Sequence, residues 1–367
     1  MKLTCEKTSL AEAINTVSKA VSTRTTLPIL ECILINVYND EITLTASDLD
    51  IGIKTAPIKA NVSETGAFAI EARLFSEIIR KLNGDNVTIE TNSDGKTAVI
   101  KCGYSEFTVM IQNPDDFPPL QEVEKDFSYK IKQVDLKNMI NQTIFSVAMD
   151  ESKPVLTGEL MEIKNNSTNI VAVDGFRISC RRAETPEIEK PVNVIIPAKT
   201  MREISRILSD SDEYTEIFIT DKHVLFIVNG NTVVSRVIDG DYIKYEQTFT
   251  DEFGTKIVVS KNELISALER ASLISRDARK MPVKFEISEG KIIITSQTEM
   301  GKAHEEVDCT FEGSELKIAF NPRFLIEALK SVEDDDVSIQ FNSSLSPCII
   351  KPEEGDKYKY LILPLRV

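Results

Sequence analysis

An α+β fold of three repeated domains, each with two helices packed on antiparallel sheets, is what these 367 residues predict. Three observations carry that expectation. Two separate helix motifs recur with one shared period. The stretches between them show strand alternation and hairpin chemistry. No long Gly- or Ser-rich linker interrupts the chain.

The first motif is a short strand running into an amphipathic helix. It reads KLTCEKTSLAEAINTVSKA from Lys2, YKIKQVDLKNMINQTIFSV from Tyr129 and TKIVVSKNELISALERASL from Thr255. Leu10, Leu136 and Leu264 correspond, as do Ile14, Ile140 and Leu268, at spacings of 126 and 128 residues. Each couple is an i, i+4 apolar pair on one helix face. The second motif reads AIEARLFSEIIRKL from Ala69, IIPAKTMREISRIL from Ile195 and AFNPRFLIEALKSV from Ala319. Ile70, Ile196 and Phe320 align at 126 and 124, and Arg73, Lys199 and Arg323 share the position at the helix start. Helices are therefore expected over residues 10–20, 73–82, 136–147, 199–208, 261–271 and 323–331. Between them, EITLTASDLDIGIKT, NVTIETNSDGKTAVIKC, EIFITDKHVLFIV and VKFEISEGKIIITS read as strands, with Asp94-Gly95 and Glu289-Gly290 as hairpin turns. The junctions EVEKDFSY and TFTDEFGTK are short and charged. They divide the chain into domains 1–125, 126–252 and 253–367, held in fixed relation.

Hydrophobic residues make up 42% and charged residues 28% of the chain, a globular composition rather than a disordered one. No apolar run approaches the ~20 residues of a membrane span. The N-terminus lacks a signal-peptide core, so a cytoplasmic protein with no membrane partner is expected. Cys5, Cys32, Cys102, Cys180, Cys309 and Cys348 are widely separated and form no CxxC, which favours buried reduced thiols over a metal or redox site.

The net charge of −15 argues against nucleic acid as a partner only if it is evenly spread. It is not. The six predicted helices hold twelve basic and six acidic residues, so they are net basic while the remainder is strongly acidic. Helix propensity and solubility favour Lys and Arg, but they favour Glu as well. The first helical turns carry Arg73, Lys199 and Arg323, where the macrodipole prefers acids. A polyanion facing the helices, held by screened phosphate contacts, accounts for that choice.

Catalytic signatures are missing. His223 and His304 have no metal-ligand spacing, and no phosphate-binding glycine loop or GxSxG is present. Residues 48–50 (DLD) and 114–116 (PDD) offer carboxylates without a converging ligand set. The acidic run Glu333–Asp336 reads as a solvated turn. No cofactor, metal or catalytic residue is expected; the chain reads as a binding or scaffold protein.

RTTLPIL at 24–30, DDFPPL at 115–120, VAVDGFRIS at 171–179, VIIPAKTMREI at 194–204, SRVIDGDYIKY at 235–245 and the terminal LILPLRV occur in order. Together and over the full length they resemble the bacterial DNA polymerase III β-subunit family, the sliding clamps. The resemblance implies the DNA-clamp fold in a head-to-tail homodimeric ring, six domains around a hole lined by twelve helices. It implies a processivity factor that encircles duplex DNA, tethers the replicative polymerase, is opened by an ATP-driven clamp loader, and catalyses nothing itself.

For DNA, the family pattern carries over onto Arg24 and Arg73, and the repeat adds Lys199, Arg202, Arg206 and Arg323 as equivalent or neighbouring cations. Each alone could be an ordinary exposed cation. The loop 148–158 departs from the best-known pattern, with Asp150 in place of a glutamine and Pro154 and Val155 in place of two tyrosines. Stacking by those tyrosines is absent, and Lys153 is left as that loop's phosphate contact. For partners, the resemblance implies an apolar cleft between the second and third domains. It takes short apolar motifs from polymerases, the loader and repair proteins. The matching positions are Leu156, Val173, Gly175, Phe176, Arg177, Ile178, Ile243, Leu345, Pro347, Leu361, Leu363, Pro364, Leu365 and Arg366. Phe176 replaces a usual histidine, and Gln247 stands where an arginine can occur. The residues themselves read VAVDGFRIS as a strand pair around a tight Asp-Gly turn, compatible with that role. For the dimer, Phe107 and the pair Leu273 and Ile274 are candidates, the latter two equally readable as intradomain core. The tail KYLILPLRV is expected to be a terminal strand at a sheet edge. Leu361, Leu363 and Leu365 would turn to the cleft, and pairing would be interrupted at Pro364. Two other classes compete: a cytosolic scaffold that binds peptides but no DNA, and an acidic hydrolase, which has only acid content in its favour.

Overall fold

The computed structural model describes every residue except Thr23, Asp94, Asp126, Phe127, Glu189, Asp251, 276–281 and Val367. Asp94 of the predicted hairpin, Asp126, Phe127 and Asp251 of the two junctions, and the last tail residue therefore lie outside the described residues.

Six α-helices form: α1 Lys7–Val17, α2 Ala72–Lys81, α3 Gln133–Asn141, α4 Ala198–Ile207, α5 Lys261–Ser272 and α6 Pro322–Ser331. Each follows a strand almost without a gap, so α1 and α3 begin three residues before the predicted starts at 10 and 136. The shared period is visible in single bonds. The first amide of α1, α3 and α5 donates to a backbone carbonyl, Lys7 to Asp85, Gln133 to Glu213 and Lys261 to Asp335, each at 2.8 Å. The Lys7 and Lys261 ammonium groups also bind the last carbonyls of the paired helix, Leu82 at 2.9 Å and Val332 at 3.1 Å, where the macrodipole is negative. Lys261 is thereby a structural cap rather than an exposed helix cation. Helix α3 ends at Asn141, short of the predicted Val147. The Thr143 hydroxyl lies 2.8 Å from the Met139 carbonyl and 2.6 Å from Glu159 Oε1, and Ile144–Ser146 closes as a 3-10 turn. A side chain that competes for helix carbonyls and bonds outside the helix favours this early stop.

Two compact units emerge, Met1–Gln133 with Arg206–Val237, and Val134–Ser205 with Ile238–Val367. They do not coincide with the three repeats, because sheets run from one repeat into the next. In the first unit, Ile51–Lys54 pairs antiparallel with Asn231–Arg236 within a thirteen-stranded sheet. In the second unit, Arg177–Glu184 pairs antiparallel with Tyr358–Ile362 within a nine-stranded sheet, and a four-stranded sheet runs Gly301–Asp308, Lys291–Thr298, Val283–Ser288, Leu316–Phe320. The predicted Glu289-Gly290 turn forms, with Ser288 opposite Lys291 and Gly290 at φ +83°.

The largest core described in the second unit gathers Leu264, Leu268, Leu325 and Leu329 from α5 and α6 over Phe285, Phe320, Phe341 and Tyr360. Burying each such side chain contributes about 1.5–3 kcal/mol. The tail strand Tyr358–Ile362 alternates as expected: Tyr358, Tyr360 and Ile362 enter this core, while Leu361 enters a second cluster with Leu156, Val173 and Ile178. Its edge position is not borne out. It lies between Arg177–Glu184 and Cys348–Lys351, with Leu361 opposite both Ile178 and Ile349. Pairing stops at Ile362, two residues before Pro364, which has no N–H to give.

All six cysteines are unpaired thiols. Among the described residues, no helix is long and apolar enough to cross a membrane, and no three His, Cys, Asp or Glu side chains converge as metal ligands.

Candidate functional site

The site is built on the turn between the strands Ser167–Val173 and Arg177–Glu184. Asp174 Oδ1 accepts from the amides of Phe176 (2.9 Å) and Arg177 (3.1 Å), which fixes the turn from within. Gly175 sits at φ +88° with nothing within 4 Å of an added Cβ, so its conformation rather than space selects glycine. The turn lifts Phe176 to 59% exposure. Its ring stacks on Phe324 of α6, centroids 6.1 Å apart, and its carbonyl accepts from the Leu363 amide at 2.9 Å. Turn, helix and tail thus meet at one side chain.

Arg177, expected to line the cleft, is 5% exposed and acts as a strut. Its guanidinium donates to Asp174 Oδ2, Glu327 Oε2 and the Phe145 carbonyl, and lies 5.1 Å from the Phe145 ring and 4.5 Å from that of Phe324. The other Glu327 oxygen accepts from Arg323 Nε at 2.7 Å. Burial alone would raise the Glu327 carboxyl, but hydrogen bonds from Arg323 and Arg177 outweigh it and hold the group below its ordinary range.

The remaining cleft positions divide into floor and rim. Leu156, Val173, Ile178 and Leu361 are buried in one cluster with Leu160, Ile195 and Tyr245. Phe176, Ile243, Leu345 and Leu363 are exposed apolar side chains, Leu345 at 71%; Pro347, Pro364 and Leu365 are half-buried and Arg366 is exposed. Phe145, Phe324, Glu327 and Tyr245 were not anticipated. Of these, Tyr245 closes the SRVIDGDYIKY motif and Phe324 stands next to Arg323, while Phe145 and Glu327 left no sequence signal.

The first unit contains the repeat-equivalent turn. Asp48 Oδ1 accepts from Asp50 (3.0 Å) and Ile51 (2.8 Å), Leu49 takes φ +78°, and the Asp50 carbonyl accepts from Arg236 N at 3.0 Å, as Phe176 accepts from Leu363. But Asp50 stands in the place of Phe176. Gly52 stands in the place of Ile178, and the Leu120 side chain fills the space a Cβ there would need. Of these two turns, only the one at 174–177 presents an aromatic ring to solvent.

The predicted DNA-facing cations lie on exposed surfaces. Glu71 caps α2 by accepting from the Arg73 and Leu74 amides, and Asn321 caps α6 by accepting from the Arg323 amide. Arg73 is 88% and Arg323 74% exposed at the side chain. Lys199, Arg202 and Arg206 share the outer face of α4, whose inner face buries Ala198, Met201 and Ile204. Arg24 and Lys153 are exposed in loops. Within the second unit, Glu159 is fully buried, accepts from Thr143, and leaves its second oxygen unpartnered. Burial pushes its carboxyl up to about 8, against the opposing pull of Thr143 and Arg202. Being largely neutral at pH 7, it does not cancel the charge of Arg202.

Two of the strands with an open edge carry or adjoin the dimer candidates. Ser105–Gln112 pairs along its length with Thr97–Cys102 but meets Gly66–Glu71 only at Ile111 and Gln112, and exposes Phe107. Gly301–Asp308 pairs only with Lys291–Thr298. Nearby, Leu273 is 55% exposed and Ile274 half-buried, so Leu273 is not core.

Three family models match in order: the DNA polymerase III β subunit N-terminal domain over 1–121, the central domain over 130–244 and the C-terminal domain over 246–366. A β sliding clamp of Staphylococcus aureus is 35% identical over 375 residues, covering 100% of this chain and 99% of the relative. The crystal structure of a DNA polymerase III β subunit from Eubacterium rectale is 39% identical with a TM-score of 0.95, covering 100% of both chains. That of the Bacillus subtilis polymerase sliding clamp is 34% identical with a TM-score of 0.95, covering 100% of this chain and 99% of the other. The chain belongs to the family of the bacterial DNA polymerase III β subunit, the β sliding clamps.

Proposed function

We propose that this chain, by family a DNA sliding clamp and a non-catalytic processivity factor, works as a closed head-to-tail homodimeric ring around duplex DNA in the cytoplasm. Its three domains divide at 1–125, 126–252 and 253–367. Arg24, Arg73, Lys153, Lys199, Arg202, Arg206 and Arg323 face the phosphates. Retention is topological, so these contacts are weak, screened and quickly exchanged, which lets the ring slide. The dimer forms by joining the open edge at Phe107 to the edge near Leu273 and Ile274, which continues a sheet and removes two exposed edges.

The replicative polymerase, the clamp loader, and other polymerases and repair proteins dock short apolar motifs on the cleft. Phe176, Ile243, Leu345, Leu363 and Leu365 form its rim, and Leu156, Val173, Ile178 and Leu361 its floor. The observation that carries the DNA reading is the placement of Arg73, Lys199 and Arg323 in exposed first turns of α2, α4 and α6, against the macrodipole, in a chain of net charge −15. Primer extension tests it. On a singly primed circle with loader, ATP and a heparin trap, the replicative polymerase makes long products only when this protein is present; unchanged product length contradicts the reading.

A further inference from the structure

Three of the cleft positions, Leu345, Leu365 and Arg366, also line a cavity of about 570 Å³ whose other walls are of different chemistry. Val283–Ser288 and Leu316–Phe320 pair with Lys284 opposite Ala319 and Glu286 opposite Lys317. Phe285 and Ile318 are buried on the inner side of this ladder, so Lys284, Glu286 and Lys317 point outward. The tail crosses the ladder's end, where the Leu365 amide donates to the Ala319 carbonyl at 2.8 Å. That bond brings Leu365 and Arg366 to the wall of the cavity, with Leu345 as its other apolar wall. Leu345, Leu365 and Arg366 therefore belong to both the cleft and this cavity.

The charge of the cavity opposes that of the chain. Lys317 Nζ pairs with Glu286 Oε2 at 2.9 Å, which neutralises the carboxylate among the lining residues named here. The charged ends of the Lys284 and Arg366 side chains have no hydrogen-bond or ion-pair partner among the described residues. Among the described residues, two cations without an ion-pair partner thus flank an apolar wall made of cleft residues Leu345 and Leu365.

We propose that this cavity is an extension of the partner site that reads an acidic side chain flanking the partner's apolar motif, with Lys284 and Arg366 as the cations that receive it. The inference rests on the cleft reading, to which it adds a specificity-determining residue, Lys284, on a different sheet. Exposed ion pairs are weak, so the extension discriminates among partners and sets encounter rates rather than anchoring them.

The probe is a fluorescein-labelled peptide carrying the apolar motif of the cognate replicative polymerase, with three Asp or three Lys appended at either end, read by anisotropy on the full-length protein. At low salt, the Asp extension at one end tightens binding by about two- to fivefold and the Lys extension weakens it. Both effects vanish at ~1 M salt, where the screening length is about 3 Å. Lys284→Glu reverses the preference, while Lys284→Ala abolishes it and leaves the unextended peptide unaffected. Lys284 points outward, and an unchanged melting temperature shows that these variants fold. Identical affinities for the Asp- and Lys-extended peptides at both ends overturn the extension and leave the cleft standing. Failure of the unextended peptide to bind at all removes the cleft reading and the extension with it.

Discussion

Phe176 and Glu159 show how much a single position decides. Phe176 is held out by a turn that does not need its ring, so its replacement separates binding from folding. Phe176→Ala is expected to weaken capture of a partner peptide by about 2 kcal/mol, roughly thirtyfold, while costing stability at most the ~1 kcal/mol of one stacked pair. Titration of the labelled peptide alongside a thermal melt checks both halves. Glu159 behaves oppositely, since its folded carboxyl is raised to about 8. A raised folded value means its stabilising contribution is complete below the unfolded value near 4.5, and is lost as pH rises through about 8. Glu159→Gln removes that proton linkage. The variant should melt several degrees above the parent at pH 9, and the advantage should shrink steadily towards pH 5. An advantage of equal size at both pH values would contradict the assignment. The VAVDGFRIS turn was readable because Asp and Gly at fixed offsets have one geometric meaning. The proton on Glu159 was not, because it depends on a burial that no local pattern encodes.

At the scale of elements, the Arg177–Glu327 bridge ties the cleft turn to α6, and the same carboxylate holds Arg323. Removing Glu327 leaves the buried Arg177 guanidinium with Asp174 as its one carboxylate partner and an N–H without its acceptor, which costs more than the pair contributes. Glu327→Ala is therefore expected to lower the melting temperature by several degrees and to loosen the Phe176 turn, weakening peptide capture although Glu327 need not touch the peptide. Because the Glu327 carboxyl is held below its ordinary value, the deficit is full above about pH 4.5 and fades as pH falls through the folded value. Melts of both proteins from about pH 3 to 7 check this. The six helices and their shared period were legible, since i, i+4 apolar pairs recur at 126 and 128 residues. The pairing of Arg177 with a residue 150 positions away was not. Nor was the interior place of Tyr358–Ile362: alternation gives the two faces of a strand but not its neighbours, and Pro364 falsely suggested an edge.

At the scale of the whole molecule, charge distribution and topology carry the function together. Net charge of −15 would repel DNA from a convex surface, yet Arg73 and Lys199 stand on exposed helix faces. Reversing both charges, Arg73→Glu with Lys199→Glu, should impair loading onto primed DNA while leaving the sedimentation behaviour of the dimer unchanged. Loss of the dimer instead would place these residues in assembly rather than in DNA passage. Encirclement is what should hold the protein on DNA, and it is tested by comparing retention on a nicked circular plasmid with retention on the same plasmid made linear, after loading by the clamp loader and ATP. The protein should remain on the circle and run off the linear form; equal retention on both would contradict encirclement.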